Sequence, residues 1–496
     1  MHRPLRKVLI ANRGEIAVRV IRGCHELGID TVAVYSEADR LALHVRQAGE
    51  ARCIGPAPSR DSYLVAERIL AAARETGADA IHPGYGFLSE NAAFAQQVID
   101  AGLIWIGPPP SAIEAMGSKT ESRARMLAAG VPIVPGTTEP LRDEAEALEV
   151  AGRIGYPVML KAAAGGGGKG MRRVDSAADL PGAYRAARSE ALSSFKDDAV
   201  YVEKLIVNPR HVEVQVLADR HGNTVHLFER DCSIQRRNQK VVEETPCPVL
   251  TPETRAAMTA VAVQAARAVG YESAGTCEFM LAEDGSFYFL EMNTRLQVEH
   301  PITEMVTGVD LVHAQLRVAR GEPLWFRQED LTQSGHAIEM RVYAEDPGAN
   351  WAPSPGPLTG YREPGGPWVR VDSGAYQGGE IPIHYDPMIA KLIVWGATRD
   401  EAIQRARRAL LEYRVRGIRS SLPFFRALMD DPDFLAGNAT TAFLSPERVA
   451  RLTAATRNDT AATVAAAIAA FDRDTAPKRP AEASGADASR WKWSLR

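Results

Sequence analysis

The sequence predicts an α/β protein of about three domains, and three observations carry that reading. The first hundred residues alternate strand and helix signals. Residues 161–171, KAAAGGGGKGM, place five glycines between two strand-like runs. Residues 276–300 read as a hairpin centred on Asp284-Gly285 that leads into alternating polar and apolar positions.

KVLIA opens the chain as a short apolar run, and RGEIAVRVIRGCHELG keeps apolar residues at helical spacing as far as Gly28. TVAVYS gives a second strand and ADAIHPGY begins with a third. Such alternation with short turns predicts a parallel, doubly wound sheet. The turn NRGEIA lacks GxGxxG, so the unit is Rossmann-like in outline only. GPPPS at 107–111 reads as a linker, and residues from about 135 to 205 as a compact unit holding the glycines. Strands mixed with long helices follow to about residue 330. PGANWAPSPGPLTGYREPGGP at 347–367 then introduces short strands and two late helical segments. After Pro446 the chain is Ala-rich, and 474–490 has the composition of a disordered segment.

A chain of 496 residues, 45% hydrophobic and with net charge -4, has no basic excess for nucleic acid or anionic lipid. The five cysteines form no CxxC pair, which suggests neither a zinc site nor a disulfide framework. The basic N-terminus carries too short an apolar run for a signal peptide. No apolar stretch approaches the ~18 residues of a membrane span. A cytoplasmic location is the expectation.

The glycine run fails as a P-loop, because Gly168-Lys169 is followed by Gly170 rather than Ser or Thr. GxGxxG matches at Gly165, Gly167 and Gly170, yet that fingerprint needs a helix immediately after it. MRRVDS follows instead, and a helix begins only near Ser176. The glycines therefore join strand to strand. Their N–H groups are free to close over an anion, with Lys161 adding positive charge; a plain flexible loop is the alternative.

In the later hairpin, a two-residue type I′ turn at Asp284-Gly285 pairs Glu283 with Ser286 and Phe279 with Leu290. Glu278 then falls opposite Glu291. Opposed like charges are destabilising, and a divalent cation such as Mg²⁺ or Mn²⁺ removes the repulsion. The alternative is a solvent-exposed pair that tolerates it. If the chain stays extended, Glu291, Asn293, Arg295, Gln297 and Glu299 share one face, while Leu290, Met292, Leu296 and Val298 share the other. Arg295 and Gln297 suit a small planar anion, and Glu299 sits where it can take its proton.

Four stretches in order, HPGYGFLSEN (82–91), the lysine–glycine run, ERDCSIQRRNQKVVEE (229–244) and EMNTRLQVEHPITEM (291–305), resemble biotin carboxylase. This is the ATP-grasp component of biotin-dependent carboxylases, and the resemblance reaches to about residue 447. It implies a Rossmann-like pre-ATP-grasp domain at 1–114 and an ATP-grasp core at 115–334 with a mobile glycine-rich lid at about 135–205. A mixed α+β C-terminal domain at 335–447 and an Ala-rich segment with a disordered tail at 448–496 complete the expected organisation.

The resemblance also implies site residues. ATP would be held by Lys119, Lys161, Gly167 and Gly168, by the hinge Glu203, Lys204, Leu205 and Ile206, and by His211, Gln235 and Asn238. Read alone, Lys119 is only a surface lysine and His211 any loop histidine. Glu278, Glu291 and Asn293 match the family's metal ligands, and Lys240, Arg295, Gln297 and the backbone of Val298 its bicarbonate site. Glu299 would deprotonate bicarbonate, whose attack on the γ-phosphate gives carboxyphosphate. Phosphate then acts as base toward biotin, with Arg341 balancing the negative charge developed on the biotin ring and Tyr85 and Phe87 close by. Asn238 departs from the histidine common at its position, which bears on nucleotide binding and not on the reaction.

No Met-Lys-Met biotinylation site occurs. The expectation is therefore a separate, homodimeric component that works with a biotin carboxyl carrier protein and a carboxyltransferase. Trp491 and Trp493 in the tail anchor a partner or belong to a disordered end. The acceptor is expected to be an acyl-CoA, acetyl or propionyl, with pyruvate or another 2-oxoacid as the alternative. The rival readings are a carboxylate–amine ligase and a non-catalytic nucleotide-binding subunit.

Overall fold

The computed structural model describes residues 4–137, 139–162, 171–195, 197–455, 464 and 467–471. Strands β1 (Lys7–Ile10), β2 (Asp30–Ser36), β3 (Glu50–Gly55), β4 (Ala80–His82) and β5 (Ile104–Trp105) form a parallel sheet in the order β3-β2-β1-β4-β5. The expected doubly wound sheet is present, with two strands beyond those read from the sequence. β3 buries a single position and shows no apolar run, whereas β5 lies within the apolar run LIWI at 103–106, a signal the sequence reading left unused. The helix Gly14–Glu26 buries Ile16, Ala17, Val20, Ile21 and Cys24, as its spacing requires. GPPPS is not a free linker: it opens the helix Pro110–Gly117, where a proline in the first turn has no N–H to waste.

β6 (Val158–Ala162) and β7 (Met171–Val174) pair antiparallel, with Lys161 opposite Met171. The stem around the glycines is thus strand-to-strand, as expected. Residues 163–170, including Gly167 and Gly168, lie outside the described residues. β8 (Val200–Lys204) flanks β6 on its other edge, and the helices Glu144–Ile154 and Leu180–Phe195 cover this small sheet through Ala147, Val150, Tyr184 and Ala187.

β9 (Arg210–Ala218), β10 (Thr224–Arg236), β11 (Gln239–Thr245), β12 (Ser273–Leu281), β13 (Phe287–Asn293) and β14 (His336–Tyr343) belong to one antiparallel sheet. Its order is β13-β12-β9-β10-β11-β14, continued by the strands Met388–Gly396 and Val369–Ser373. The helix Pro252–Ala268 packs Met258, Ala262, Ala265 and Ala266 on it, and the helix His300–Thr307 lies against β10, β11, β14 and Met388–Gly396. Four helices end the described fold, two more than the sequence suggests: Arg399–Glu412, Leu422–Leu428, Pro432–Leu435 and Pro446–Ala455. The segment 474–490 and the tail with Trp491 and Trp493 lie outside the described residues. Among the described residues no helix is long and apolar enough to cross a membrane.

Candidate active site

Glu278 stands opposite Glu291 across β12 and β13. The route to that register differs from the sequence expectation. Leu281 pairs with Phe287 and Phe279 with Phe289, so Ala282–Ser286 closes a turn one residue longer than a type I′ hairpin. A shift between Glu278 and Phe279 leaves Leu290 unpaired and restores the register. Leu290 is accordingly exposed, not packed with Met292 and Leu296.

The strand ends at Asn293, yet its polar side chains still converge. Asn293 Nδ2 donates to Glu278 Oε1 at 2.8 Å and Gln297 Nε2 to the same oxygen at 2.9 Å. Arg295 NH2 donates to Asn293 Oδ1 at 2.9 Å, and Arg295 Nε to Glu90 Oε2 at 2.8 Å. Lys240 Nζ donates to Glu299 Oε1 at 2.6 Å and to Glu278 Oε1 at 2.8 Å, and also meets Glu213. Burial alone would lower the Lys240 pKa, but the three carboxylates hold it well above its ordinary value.

Sequence reasoning missed the group that orders this cluster. Arg230, with no exposed surface, donates to Glu213 Oε1 (2.6 Å), Gln215 Oε1 (2.8 Å), Thr303 Oγ1 (2.8 Å), Thr276 Oγ1 (3.2 Å) and Gln297 Oε1 (2.7 Å). By taking the Gln297 oxygen it turns the amide nitrogen toward Glu278. Alternation along RHVEVQ puts His211, Glu213 and Gln215 on one face of β9, which was the available signal.

Glu278 and Glu291 fit a divalent cation. No hydrogen bond reaches the Glu291 carboxylate among the described residues. Its pKa is raised by desolvation and then by the Glu278 charge. Two opposed carboxylates, one of them without a cationic partner among the described residues, and Asn293 beside them offer hard oxygens that suit Mg²⁺ or Mn²⁺. His211, Glu213 and Glu278 also bring donor atoms together. Lys240 meets two of those three, Glu213 and Glu278, whereas Glu291 makes no ion pair among the described residues, so Glu278–Glu291 is the better pair.

Arg341 closes the other end of the cluster. Its NH2 donates to Glu299 Oε2 at 2.9 Å and its Nε to Glu243 Oε1 at 2.6 Å. Glu299 thus lies between Lys240 and Arg341; burial alone would raise its pKa, and these two cations hold it well below the ordinary value. A cavity of about 500 Å³ opens beyond Arg341, bounded by Tyr85, Phe87, Arg295, Val298, Tyr343 and Tyr385. It stands at the switch point between β1 and β4, where Asn12 Nδ2 donates to the carbonyls of Pro83 and Tyr85 at 2.7 Å each. Gly84 there has φ +64, and a Cβ would lie 2.9 Å from Asn12 Nδ2. Phe87 holds φ 46 and stacks on Tyr63 at 5.0 Å, a strained wall of the kind found at binding sites.

Of the residues expected to hold ATP, the described ones lie on β6, on β8 and the two residues after it, on β9, on the β10–β11 hairpin and at the start of the helix Lys119–Ala128. Lys161 pairs with Glu203, which also accepts from Arg123 NH1 at 3.1 Å. Backbone N–H groups of Lys204 and Leu205 donate to Pro135 O (2.7 Å) and Pro157 O (3.1 Å), and Ile206 follows half-buried. His211 Nε2 stands 3.0 Å from Glu278 Oε2. Gln235 is the cross-strand partner of Lys240 and donates to Cys232 O at 2.9 Å. Asn238 is exposed at the turn between β10 and β11, with φ 66, and Arg237 before it has φ 51. Asparagine adopts that left-handed region more readily than most residues, a backbone reason for its presence. Lys119 is the first residue of the helix Lys119–Ala128.

Comparison with known proteins adds three family matches: Biotin carboxylase, N-terminal domain, over residues 4–113; Carbamoyl-phosphate synthase L chain, ATP binding domain, over 118–326; and Biotin carboxylase C-terminal domain over 339–446. The chain is 54% identical over 441 residues to Biotin carboxylase 1 of Bacillus subtilis, covering 89% of this chain and 98% of that protein. It is 55% identical over 443 residues to a pyruvate carboxylase subunit of Methanothermobacter thermautotrophicus, covering 89% and 90%. Among solved structures, the biotin carboxylase domain dimer of Hydrogenobacter thermophilus 2-oxoglutarate carboxylase, in complex with MgADP, ADP and bicarbonate, matches at TM-score 0.83 and 50% identity, covering 91% and 99%.

Proposed function

The chain belongs to the biotin carboxylase family and is an ATP-dependent carboxylating ligase, and we propose that it carboxylates biotin on a separate carrier protein within an acyl-CoA carboxylase. The observation that carries this reading is Glu299 held between Lys240 (2.6 Å) and Arg341 (2.9 Å), the second of which lines the cavity.

In the proposed reaction Lys119, Lys161, Gly167, Gly168, Glu203–Ile206, His211, Gln235 and Asn238 hold ATP. Glu278, Glu291 and Asn293 hold the divalent cation, which when bound supplies charge neutralisation along the phosphates. Bicarbonate sits against Lys240, Arg295, Gln297 and the Val298 N–H. Its negative charge draws Lys240 off Glu299, and this release raises the affinity of Glu299 for a proton when the proton must leave. Attack on the γ-phosphoryl group gives carboxyphosphate. Arg341 then faces the cavity, where Tyr85 and Phe87 receive the biotin ring and the guanidinium balances its developing charge.

The proposed organisation is a pre-ATP-grasp domain at 1–114, an ATP-grasp domain at 115–334 and a C-terminal domain at 335–447, acting as a homodimer with carrier and carboxyltransferase partners. A propionyl-CoA carboxylase alpha chain, from Ruegeria pomeroyi, is 52% identical over 461 residues and supports the acyl-CoA acceptor. The similarity to pyruvate carboxylase components supports a 2-oxoacid acceptor as the second reading. The test is ATP hydrolysis with bicarbonate at saturating Mg²⁺, with and without free biotin. Stimulation by biotin is expected, and its absence would overturn the reading. Recovery of a biotinylated partner then distinguishes the acceptors.

A further inference from the structure

Beneath Arg341 lie two carboxyls to which the proposed reaction gives no role. Glu243 on β11 and Glu339 on β14 are directly opposed, and neither has exposed surface. Directly opposed side chains have Cβ atoms ~5 Å apart, where two negative charges repel. Among the described residues neither oxygen of Glu339 has a hydrogen-bond partner, nor has Glu243 Oε2. Glu243 Oε1 alone is engaged, by Arg341 Nε at 2.6 Å. The charged groups facing the pair are Arg341 on β14, Lys240 on β11, Lys391 on the strand Met388–Gly396 and Glu299 at the head of the helix His300–Thr307.

We propose that Glu243 and Glu339 share one proton, with Glu339 the acid and Glu243 the anion, and that this pair positions Arg341 toward Glu299. A hydroxyl on Glu339 donates to Glu243 Oε2, so the proton pairs the facing oxygens and removes the repulsion. Glu243 then presents a single negative charge to Arg341 Nε. That hydrogen bond fixes the plane of the guanidinium and leaves NH2 at 2.9 Å from Glu299 Oε2. Burial supports this protonation, pushing Glu339 well above the carboxylate range and Glu243 up to about 7. Loss of the shared proton doubles the negative charge under Arg341 and draws the guanidinium toward the sheet, away from the cavity. The pair is a positioning element and touches no reactant.

The kinetic part of this inference rests on the biotin carboxylase reading, so the test has two arms. In the first, Glu339→Gln, Glu339→Leu and Glu243→Gln are compared with wild type from neutral to alkaline pH, with and without biotin. Glu243→Gln should cut biotin-stimulated kcat roughly tenfold or more, because the acceptor opposite Arg341 Nε loses its charge and the hydrogen bond is weakened. Its KM for ATP should stay near the wild-type value. Glu339→Gln, whose amide still donates to Glu243, should retain more activity than Glu339→Leu and lose the alkaline decline of wild type. A merely structural role would leave that decline in place. In the second arm, the infrared carbonyl absorption of protonated carboxyls at neutral pH should lose one component in Glu339→Gln relative to wild type, while that of Glu15 remains. Identical alkaline limbs in wild type and Glu339→Gln, or identical infrared bands, overturn the proposal. Absence of bicarbonate-dependent ATP cleavage in wild type would overturn the functional reading instead, and the infrared arm would still decide the pair.

Discussion

Lys391 Nζ donates to the carbonyl oxygen of Val298 at 2.8 Å from a side chain with no exposed surface. It also stands 3.3 Å from Glu15 Oε2 and 3.7 Å from Asp372 Oδ2. One ammonium thereby ties the helix Gly14–Glu26, the strands Val369–Ser373 and Met388–Gly396 and the loop that carries the proposed bicarbonate contacts. Removing one member of a buried charge cluster leaves its partners uncompensated, at a cost of about 3–5 kcal/mol. Lys391→Met should lower the melting temperature and, in the folded fraction, raise KM for bicarbonate more than KM for ATP. Equal shifts in the two KM values would show that Lys391 does not act through Val298.

Glu299→Gln keeps the shape of the side chain and removes the proposed base. Bicarbonate-dependent ATP cleavage should fall by about a hundredfold or more, in the range of general base catalysis. Nucleotide affinity, read by calorimetry with ADP, should change little, because Glu299 faces Lys240 and Arg341 and not the hinge. Weakened ADP binding would reassign the residue to the nucleotide.

Glu278 and Glu291 should respond differently to the same change. Glu291→Gln removes a like charge from an opposed pair, so the metal-free protein should gain a few tenths of a kcal/mol while its demand for Mg²⁺ rises. Glu278 accepts from Lys240, Asn293 and Gln297, so Glu278→Gln should destabilise the fold as well as weaken metal binding. Melting curves with and without Mg²⁺ check both. Destabilisation of the metal-free protein by Glu291→Gln would count against net repulsion between the two carboxylates.

The opposed glutamates also show how far sequence reasoning reaches. Their pairing was legible, although the turn is one residue longer than Asp284-Gly285 suggested; the unpaired Leu290 cancels that error. Alternation placed Asn293, Gln297 and Glu299 together even though the strand stops at Asn293, because each finds a partner in the same cluster. Arg230, Glu243, Glu339 and Lys391 were not legible as a group. Their partners are set by the registers of β10, β11, β14 and Met388–Gly396, and a local pattern says nothing about which strands become neighbours. In the parallel sheet, β3 buries one position and leaves no apolar run, whereas β5 was legible in LIWI at 103–106.

His82 makes the fold acid-sensitive in a window of its own. The ring is fully buried at the end of β4; Gly84 N–H donates to its Nδ1 at 3.0 Å, so Nε2 carries the hydrogen and faces Gln315 Oε1 at 3.2 Å. Burial pulls its pKa down to about 4, against ~6.5 in an unfolded chain. Between those values the unfolded state binds the proton and the folded state does not, so this contribution falls as pH drops from about 6.5 toward 4. The full loss is on the order of 3 kcal/mol. Glu15 and Glu243, pushed up to about 7, work in the opposite sense, so the wild-type curve alone will not reveal the effect. The difference from a His82→Gln variant isolates it, since the substitution leaves those carboxyls in place. That variant should be less stable near neutral pH, and its urea-unfolding free energy should decline less than that of wild type between pH 6.5 and pH 5, by roughly 1.4 kcal/mol per pH unit. Parallel curves would mean that His82 is already protonated in the folded protein, contrary to the hydrogen bond that Gly84 donates to it.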